Sequence, residues 1–328
     1  MQFVDKLGGD TKAYAKQKTD ALRTVSEIYS APRVTDAAKR IPGWKVLPGF
    51  ALDLTQRDER GMPWDFDDVA MRRKARAKVV SEKPMLLVGT PMCTAFSALL
   101  ALSTEKRDPE VVKRQITRAR VHLAFMCELY ELQVRAGRYF LHEHPQSATS
   151  WQMEEVTRVL GLKRVQKVSC HQCQYGAEHE NGQPIRKATS FMSNAPFLLD
   201  ELQLRCQGRL GECSRRKGGR HALCMGRAAR LAAIFPLQLC NAILRGFARQ
   251  LTHDGIIKPG SIGLHVVEED CHVMSVSGVD CRMRSLDGKL EVTCDIPAMS
   301  INGKMYKDDL TGLPLDEALV RAAIAKEL

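Results

Sequence analysis

Pro84-Met-Leu-Leu-Val-Gly-Thr-Pro-Met-Cys93-Thr-Ala-Phe-Ser97 joins an apolar run to a proline-containing turn and a cysteine. Met85 to Val88 reads as a buried apolar strand, and Gly89-Thr90-Pro91 as a tight turn that presents Cys93. A thiol held at the carboxyl end of a parallel strand sits where open α/β sheets place their chemistry. The plain alternative is a small apolar side chain packed under a loop, the commonest use of a free cysteine.

Working outward, Val25–Tyr29 reads as a first strand, broken at Ala31-Pro32-Arg33 and followed by a helix over Val34–Lys39. Phe50–Leu54 is a second strand, and Asp67–Ser81 has charged helical character. Asp108 is a good N-cap and Pro109 suits the first turn of a long helix that runs to about Arg135. A strand over Tyr139–Glu143, stopped by Pro145, comes next, then a helix over Ser150–Leu160 and strands over Val165–Val168 and Thr189–Met192. Such alternation predicts an α/β, doubly wound, mostly parallel Rossmann-like sheet. The pattern changes after Leu251 to short strands with turns at Ser277-Gly278, Asp287-Gly288 and Asn302-Gly303. The expected organisation is a helical extension over 1–21 (a polar helix at 10–20), an α/β domain over 22–251 and a small β-rich appendage over 252–328. That appendage closes with a helix, Leu315–Leu328.

The 328 residues are 44% hydrophobic and 27% charged, ordinary for a globular protein. No apolar run is long enough to span a bilayer, and Met1-Gln-Phe-Val-Asp-Lys lacks the apolar core of a signal peptide. Eleven cysteines, an odd number, argue against a fully paired disulfide framework. The expected setting is intracellular and reducing, nucleus or cytoplasm. A net charge of +11 points to a polyanionic partner, nucleic acid first. The charge is concentrated within 176–225, where Arg209, Arg215, Arg216, Lys217 and Arg220 face the single nearby acid Glu212; phosphate contact and a merely solvated face both fit this run.

Acids beyond the early strands have a physical use. Asp53 is placed to bind ribose hydroxyls, Glu27 to orient a cofactor, and Asp65 to receive an adenine amino group. The Gly-x-Gly-x-x-Gly loop of dinucleotide dehydrogenases is absent. Cys93 and Glu143 both follow strand ends and should face one crevice. A thiol beside a carboxyl suits addition to a pyrimidine: sulfur attacks ring carbon 6 while the carboxyl protonates or hydrogen-bonds ring nitrogen 3. An apolar wall of Phe140, Leu141 and Pro145 would favour the protonated carboxyl.

These residues carry a resemblance. Pro91-Met-Cys93-Thr-Ala-Phe-Ser97 resembles the Pro-Cys-Gln-x-Phe-Ser loop of DNA cytosine-5 methyltransferases, and Phe140-Leu-His-Glu143-His-Pro145 resembles their Glu-Asn-Val strand end. Arg227–Pro236 and Leu239-Cys-Asn-Ala-Ile243 resemble that family's later motifs. The resemblance implies an S-adenosylmethionine cofactor held by Glu27, Tyr29, Asp53, Asp65, Pro91 and Asn241, with Cys93 as nucleophile and Glu143 as acid. DNA is the implied partner ahead of RNA, with 176–225 as the target-reading region. Tyr29-Ser-Ala-Pro32 stands where the family has a Gly-rich loop. The family's Gln-x-Arg-x-Arg strand has no clear counterpart, and Arg164 and Lys167 are the cations nearest in sequence. His142-Glu-His-Pro-x-x-Ala-Thr-Ser-Trp151, Gln172-Cys-Gln-Tyr-Gly176, Met192-Ser-Asn194 and the tail Tyr306–Asp316 resemble a divergent form of the domain found in copia-type retroelement polyproteins. This leaves a second reading open, a catalytically inactive nucleic-acid-binding module.

Cys206, Cys213, His221 and Cys224 offer three thiols and an imidazole in a Gly-rich segment with little capacity for an apolar core. Zinc would staple such a segment, and unligated thiols are the alternative. Cys170 and Cys173 form a Cys-x-x-Cys pair that could join that site or act as a redox pair.

Overall fold

The computed structural model describes residues 19–97, 107–224 and 226–258, together with strand segments between 272 and 306. The chain divides into two units, Met1–Ile262 and Gly263–Leu328. The expected helices over 10–20 and Leu315–Leu328 lie almost wholly outside the described residues.

The first unit is built on six strands: β1 (Thr24–Ile28), β2 (Leu47–Leu52), β3 (Leu86–Gly89), β4 (Tyr139–Pro145), β5 (Gln166–His171) and β6 (Ala188–Ser193). Their spatial order is β2-β1-β3-β4-β6-β5. β1 pairs in parallel with β2 and β3, and β3 with β4, whereas β6 runs antiparallel to both β4 and β5. β6 is therefore the one reversed strand of a mostly parallel α/β sheet. The reason lies in the connection: 172–187 holds a short 3₁₀ turn (Gln172–Tyr175) and loop in place of the helical crossover that parallel pairing needs.

Helices cover both faces, which is why β3 reads as an unbroken apolar run. Leu86, Val88 and Leu141 point to one side, where α1 (Val34–Arg40) and α7 (Leu237–His253) bury Ala37, Leu239, Ile243 and Phe247. Leu87 and Phe140 point to the other, against Ala75 and Val79 of α2 (Val69–Glu82) and Leu123, Met126, Leu129 and Tyr130 of α3 (Pro109–Arg135). The buried positions of α3 recur at three- and four-residue intervals, one face of a helix. Its start is capped as the sequence predicts: the Asp108 carboxylate accepts from the Glu110 N–H at 2.8 Å. The region expected as one helix over Ser150–Leu160 is a 3₁₀ turn (Thr149–Gln152) followed by α4 (Glu154–Leu160). β4 runs two residues past the expected Glu143 and stops at Pro145, which pairs with Thr189. The short helices α5 (Pro196–Asp200) and α6 (Gly226–Leu231) also belong to this unit.

At Gly89, the last residue of β3, α3 packs close against the strand. A Cβ there would lie 2.2 Å from the Tyr130 hydroxyl and 2.3 Å from Met126 Cε. Tyr130 cannot yield, because its hydroxyl donates to the Gly89 carbonyl at 3.2 Å and lies 3.0 Å from His142 Nδ1. Gly89→Ala is expected to lower unfolding free energy by about 1–3 kcal/mol, the usual cost of overpacking. A urea midpoint unchanged from the parent would contradict it.

In the second unit β7 (His272–Val276), β8 (Val279–Leu286) and β9 (Lys289–Cys294) form an antiparallel sheet, and β10 (Met299–Ile301) pairs with β11 (Lys304–Tyr306).

Candidate active site

The chain leaves β1 for β2 on one side, then returns past β1 to β3 on the other. The carboxyl ends of β1 and β3 thus flank the switch point at which open α/β sheets bind ligands. Past β3, the Thr90 hydroxyl donates to the Tyr29 carbonyl at 2.9 Å. The Pro91 carbonyl accepts from His144 Nε2 of β4 at 3.1 Å, which leaves His144 Nδ1 to accept from the Ser150 hydroxyl at 2.6 Å. This bracing fixes the turn that carries Cys93, which is partly exposed. Glu143 is 6% exposed at the end of the neighbouring strand. The sheet brings Cys93 and Glu143 to the same edge, close enough for the carboxylate to raise the thiol's pKa.

A third group completes the cluster. Lys187 Nζ lies 3.0 Å from Glu143 Oε1, with both side chains largely buried. Burial works against the lysine's charge, but the Glu143 carboxylate and, once ionised, the Cys93 thiolate outweigh it and hold its pKa above the ordinary value. The wall around Glu143 is therefore not the apolar one expected. Arg164 and Lys167 do not supply this cation: Arg164 is exposed in a left-handed turn, and Lys167 Nζ lies 4.8 Å from the Trp151 ring centroid. Lys187 was missed because it stands before β6, and only reversal of that strand brings its start to the carboxyl end of β4.

The three groups oppose one another at Cys93. Burial pushes the thiol up, Glu143 pushes it further, and Lys187 pulls it down, with a net rise. Cys93 is therefore a thiol at neutral pH, and its reactivity should climb with alkalinity beyond the ordinary thiol range. Glu143→Gln removes one raising influence and leaves Lys187 in place. Alkylation of Cys93 by iodoacetamide at pH 7 should then accelerate, because a larger fraction of the thiol is ionised. Lys187→Met should slow it. Equal rates in all three proteins would sink this account.

The residues expected at a cofactor fall into two groups. Glu27 is fully buried and caps the start of α1. Its Oε1 accepts from Arg33 N at 3.0 Å and from Thr35 N and Oγ1 at 2.8 Å, and its Oε2 from the Ser30 hydroxyl at 2.9 Å. That corrects its expected role as an orienting ligand, because no solvent reaches it. Pro91 is likewise buried, its carbonyl engaged by His144. Asp53 and Asp65 remain accessible beyond β2, each turned back on its own loop through Thr55 N at 2.9 Å and Asp67 N at 3.0 Å. Asn241, on α7, has a buried Oδ1 with no hydrogen-bond partner.

Tyr29 adopts φ 64°, a left-handed conformation that costs a side-chain-bearing residue about 1–2 kcal/mol. Its ring packs 4.7 Å from that of Phe66. Its hydroxyl donates to His122 Nδ1 at 2.7 Å, while His122 Nε2 donates to Asp67 Oδ1 at 3.0 Å. Burial keeps His122 neutral against the opposing pull of Asp67. Sequence reasoning foresaw the missing glycines but not this chain of hydrogen bonds.

The cysteines also regroup. Cys173, Cys206, Cys213 and His221 have ligand atoms all within 4.8 Å of one another, and Cys224 is not among them. Cys224 lies nearer the candidate site, where burial raises its pKa and Lys187 opposes the rise.

No protein family matches the chain, and no curated protein does. Among solved structures, a methyltransferase of Entamoeba histolytica aligns with 70% of this chain and 98% of its own, at 10% identity and a TM-score of 0.37.

Of the basic residues, Arg209, Arg216, Lys217 and Arg220 are exposed. Arg215 is not available to a phosphate: it is paired with Glu178 and donates to the carbonyls of Gly218 at 2.7 Å and Gly182 at 2.8 Å. It is a structural tie, a correction to its expected use. Among the described residues, no helix is long and apolar enough to cross a membrane.

Proposed function

We propose that this chain is a methyltransferase-like enzyme that modifies carbon 5 of cytosine in DNA. The observation that carries the reading is the meeting of Cys93, Glu143 and Lys187 at the carboxyl edge of β3 and β4. The resemblance of the Cys93 and Glu143 loops to cytosine-5 methyltransferases supplies the reaction class.

The cofactor would be S-adenosylmethionine. The half-buried Asp53 and exposed Asp65 carboxylates suit a ribose and an adenine amino group, and the unpartnered Oδ1 of Asn241 offers a further acceptor. When bound, the cofactor supplies a methyl group on a sulfonium. The cytosine must leave the duplex, since its face is unreachable in the stack. The Cys93 thiol would add to ring carbon 6 while its proton passes by way of Glu143 to ring nitrogen 3, and the ring π electrons pass to carbon 5. Lys187 holds Glu143 Oε1, which leaves Oε2 to carry that proton. Carbon 5 would take the methyl group as the sulfonium–methyl bond breaks and a neutral thioether leaves. Carbon 5 would then lose its proton to water, the carbon–sulfur bond would break, and the departing thiolate would recover the proton from nitrogen 3. Arg209, Arg216, Lys217 and Arg220 would contact phosphates.

The second reading, a nucleic-acid-binding module without catalysis, is favoured by the left-handed Tyr29 in place of a Gly-rich loop. Labelled cofactor with cytosine-containing DNA tests the first reading through methyl transfer. Calorimetry separates the two, because DNA binding without any heat from S-adenosylmethionine would leave only the module.

A further inference from the structure

We propose that Cys173, Cys206, Cys213 and His221 bind one zinc ion that fastens the 203–222 segment to the edge of β5 and β6. The site stands apart from the methyl-transfer reading and holds whether or not that reading does. Two of its distances are those of a tetrahedral centre, and all four ligand atoms lie within 4.8 Å of one another. Zinc–sulfur bonds of about 2.3 Å and zinc–nitrogen bonds of about 2.0–2.1 Å put ligand sulfurs about 3.8 Å apart, and sulfur and nitrogen about 3.5 Å apart. Cys206 Sγ lies 3.8 Å from Cys213 Sγ and 3.6 Å from His221 Nε2. A disulfide would need its sulfurs near about 2.05 Å.

The surroundings are arranged as around a metal. His221 Nδ1 donates to the Gly211 carbonyl at 3.0 Å, which leaves Nε2 unprotonated and aimed at the sulfurs. Ser214 donates to Cys206 Sγ from its N–H at 3.4 Å and its hydroxyl at 3.5 Å. Gln174 Nε2 lies 3.6 Å from both Cys173 Sγ and Cys213 Sγ. Donors aimed at sulfur stabilise thiolates, the form that ligates zinc. The three cysteines form a buried cluster by themselves, too small to hold a segment of this length.

The fastening follows from the backbone. His171 N donates to the Leu204 carbonyl at 3.0 Å, and Cys206 N to His171 Nδ1 at 2.9 Å. On the other side, Gln172 N donates to the Lys187 carbonyl at 3.0 Å. Cys173 thus joins the metal-bearing segment to the turn against which Lys187 is held.

Metal analysis of protein purified without added chelator should find one zinc per chain. Cys224→Ser should keep it, and Cys173→Ser should lose it. Because a cysteine variant can fail to fold, the parent apo-protein is also titrated with cobalt(II), which should give the absorption of a tetrahedral three-thiolate site. Zinc removal should then speed hydrogen exchange over 171–189 and 203–222, leaving β1–β4 protected. Folded protein without zinc or a cobalt spectrum would overturn the proposal. So would zinc retained in Cys173→Ser but lost in Cys224→Ser. Unchanged exchange over 171–189 would overturn the fastening role.

Discussion

Replacing Lys187 by methionine is expected to cost about 3–5 kcal/mol of stability, the penalty for leaving a buried charge without its partner. The Glu143 side chain is 8% exposed and that of Lys187 15%, so water cannot take over for the missing ammonium. Surface pairs such as Arg76 with Glu128, both about half exposed, should by contrast contribute little when broken. The double variant Lys187→Met with Glu143→Gln should regain much of the loss, because neither charge then remains buried. Urea unfolding of the parent, both single variants and the double variant completes the cycle. A loss below about 1 kcal/mol in Lys187→Met would show the pair to be hydrated.

The second large effect concerns chemistry. Cys93→Ala should reduce methyl transfer by at least about 10³-fold, since no other group replaces a covalent nucleophile. The fold should tolerate it, because the turn is braced through the backbone carbonyls of Tyr29 and Pro91 and not through the thiol. Cys127→Ala, on α3 and far from the sheet edge in function, is the control for losing a buried thiol. Transfer surviving in Cys93→Ala would remove the nucleophile from its place; loss in both variants would point to folding.

The strands and helices around Pro84–Ser97 were legible because burial on both faces writes an apolar run into β3 and an apolar start, Tyr139-Phe-Leu141, into β4, and because Asp108-Pro109 announces its helix. Cys93 and Glu143 were legible as strand-end residues. Lys187 was not, since its position depends on a strand direction that no local pattern encodes. Glu27 misled for a related reason: a buried carboxylate that caps a helix and one that faces a ligand look alike in sequence. The substitution of Cys173 for Cys224 in the cysteine cluster has the same origin. Thiols adjacent in sequence need not be adjacent in space, and the turn after β5 reaches the segment that Cys224 has already left.

The reversed strand bears on the order in which the molecule can be completed. β5 is synthesised before β6, yet among the described residues its only partner in the sheet is β6, which separates it from β4. A nascent chain that has emerged only as far as His171 holds four paired strands and a fifth with nothing to join. The edge of β4 and the charge on Glu143 stay uncovered until some twenty further residues arrive. Sheet closure, burial of that carboxylate and delivery of Lys187 are thus a single late event. A chain interrupted within 172–187 would lack both the last two strands' pairing and the cation, and truncation there should release an open, adhesive intermediate rather than a smaller working protein.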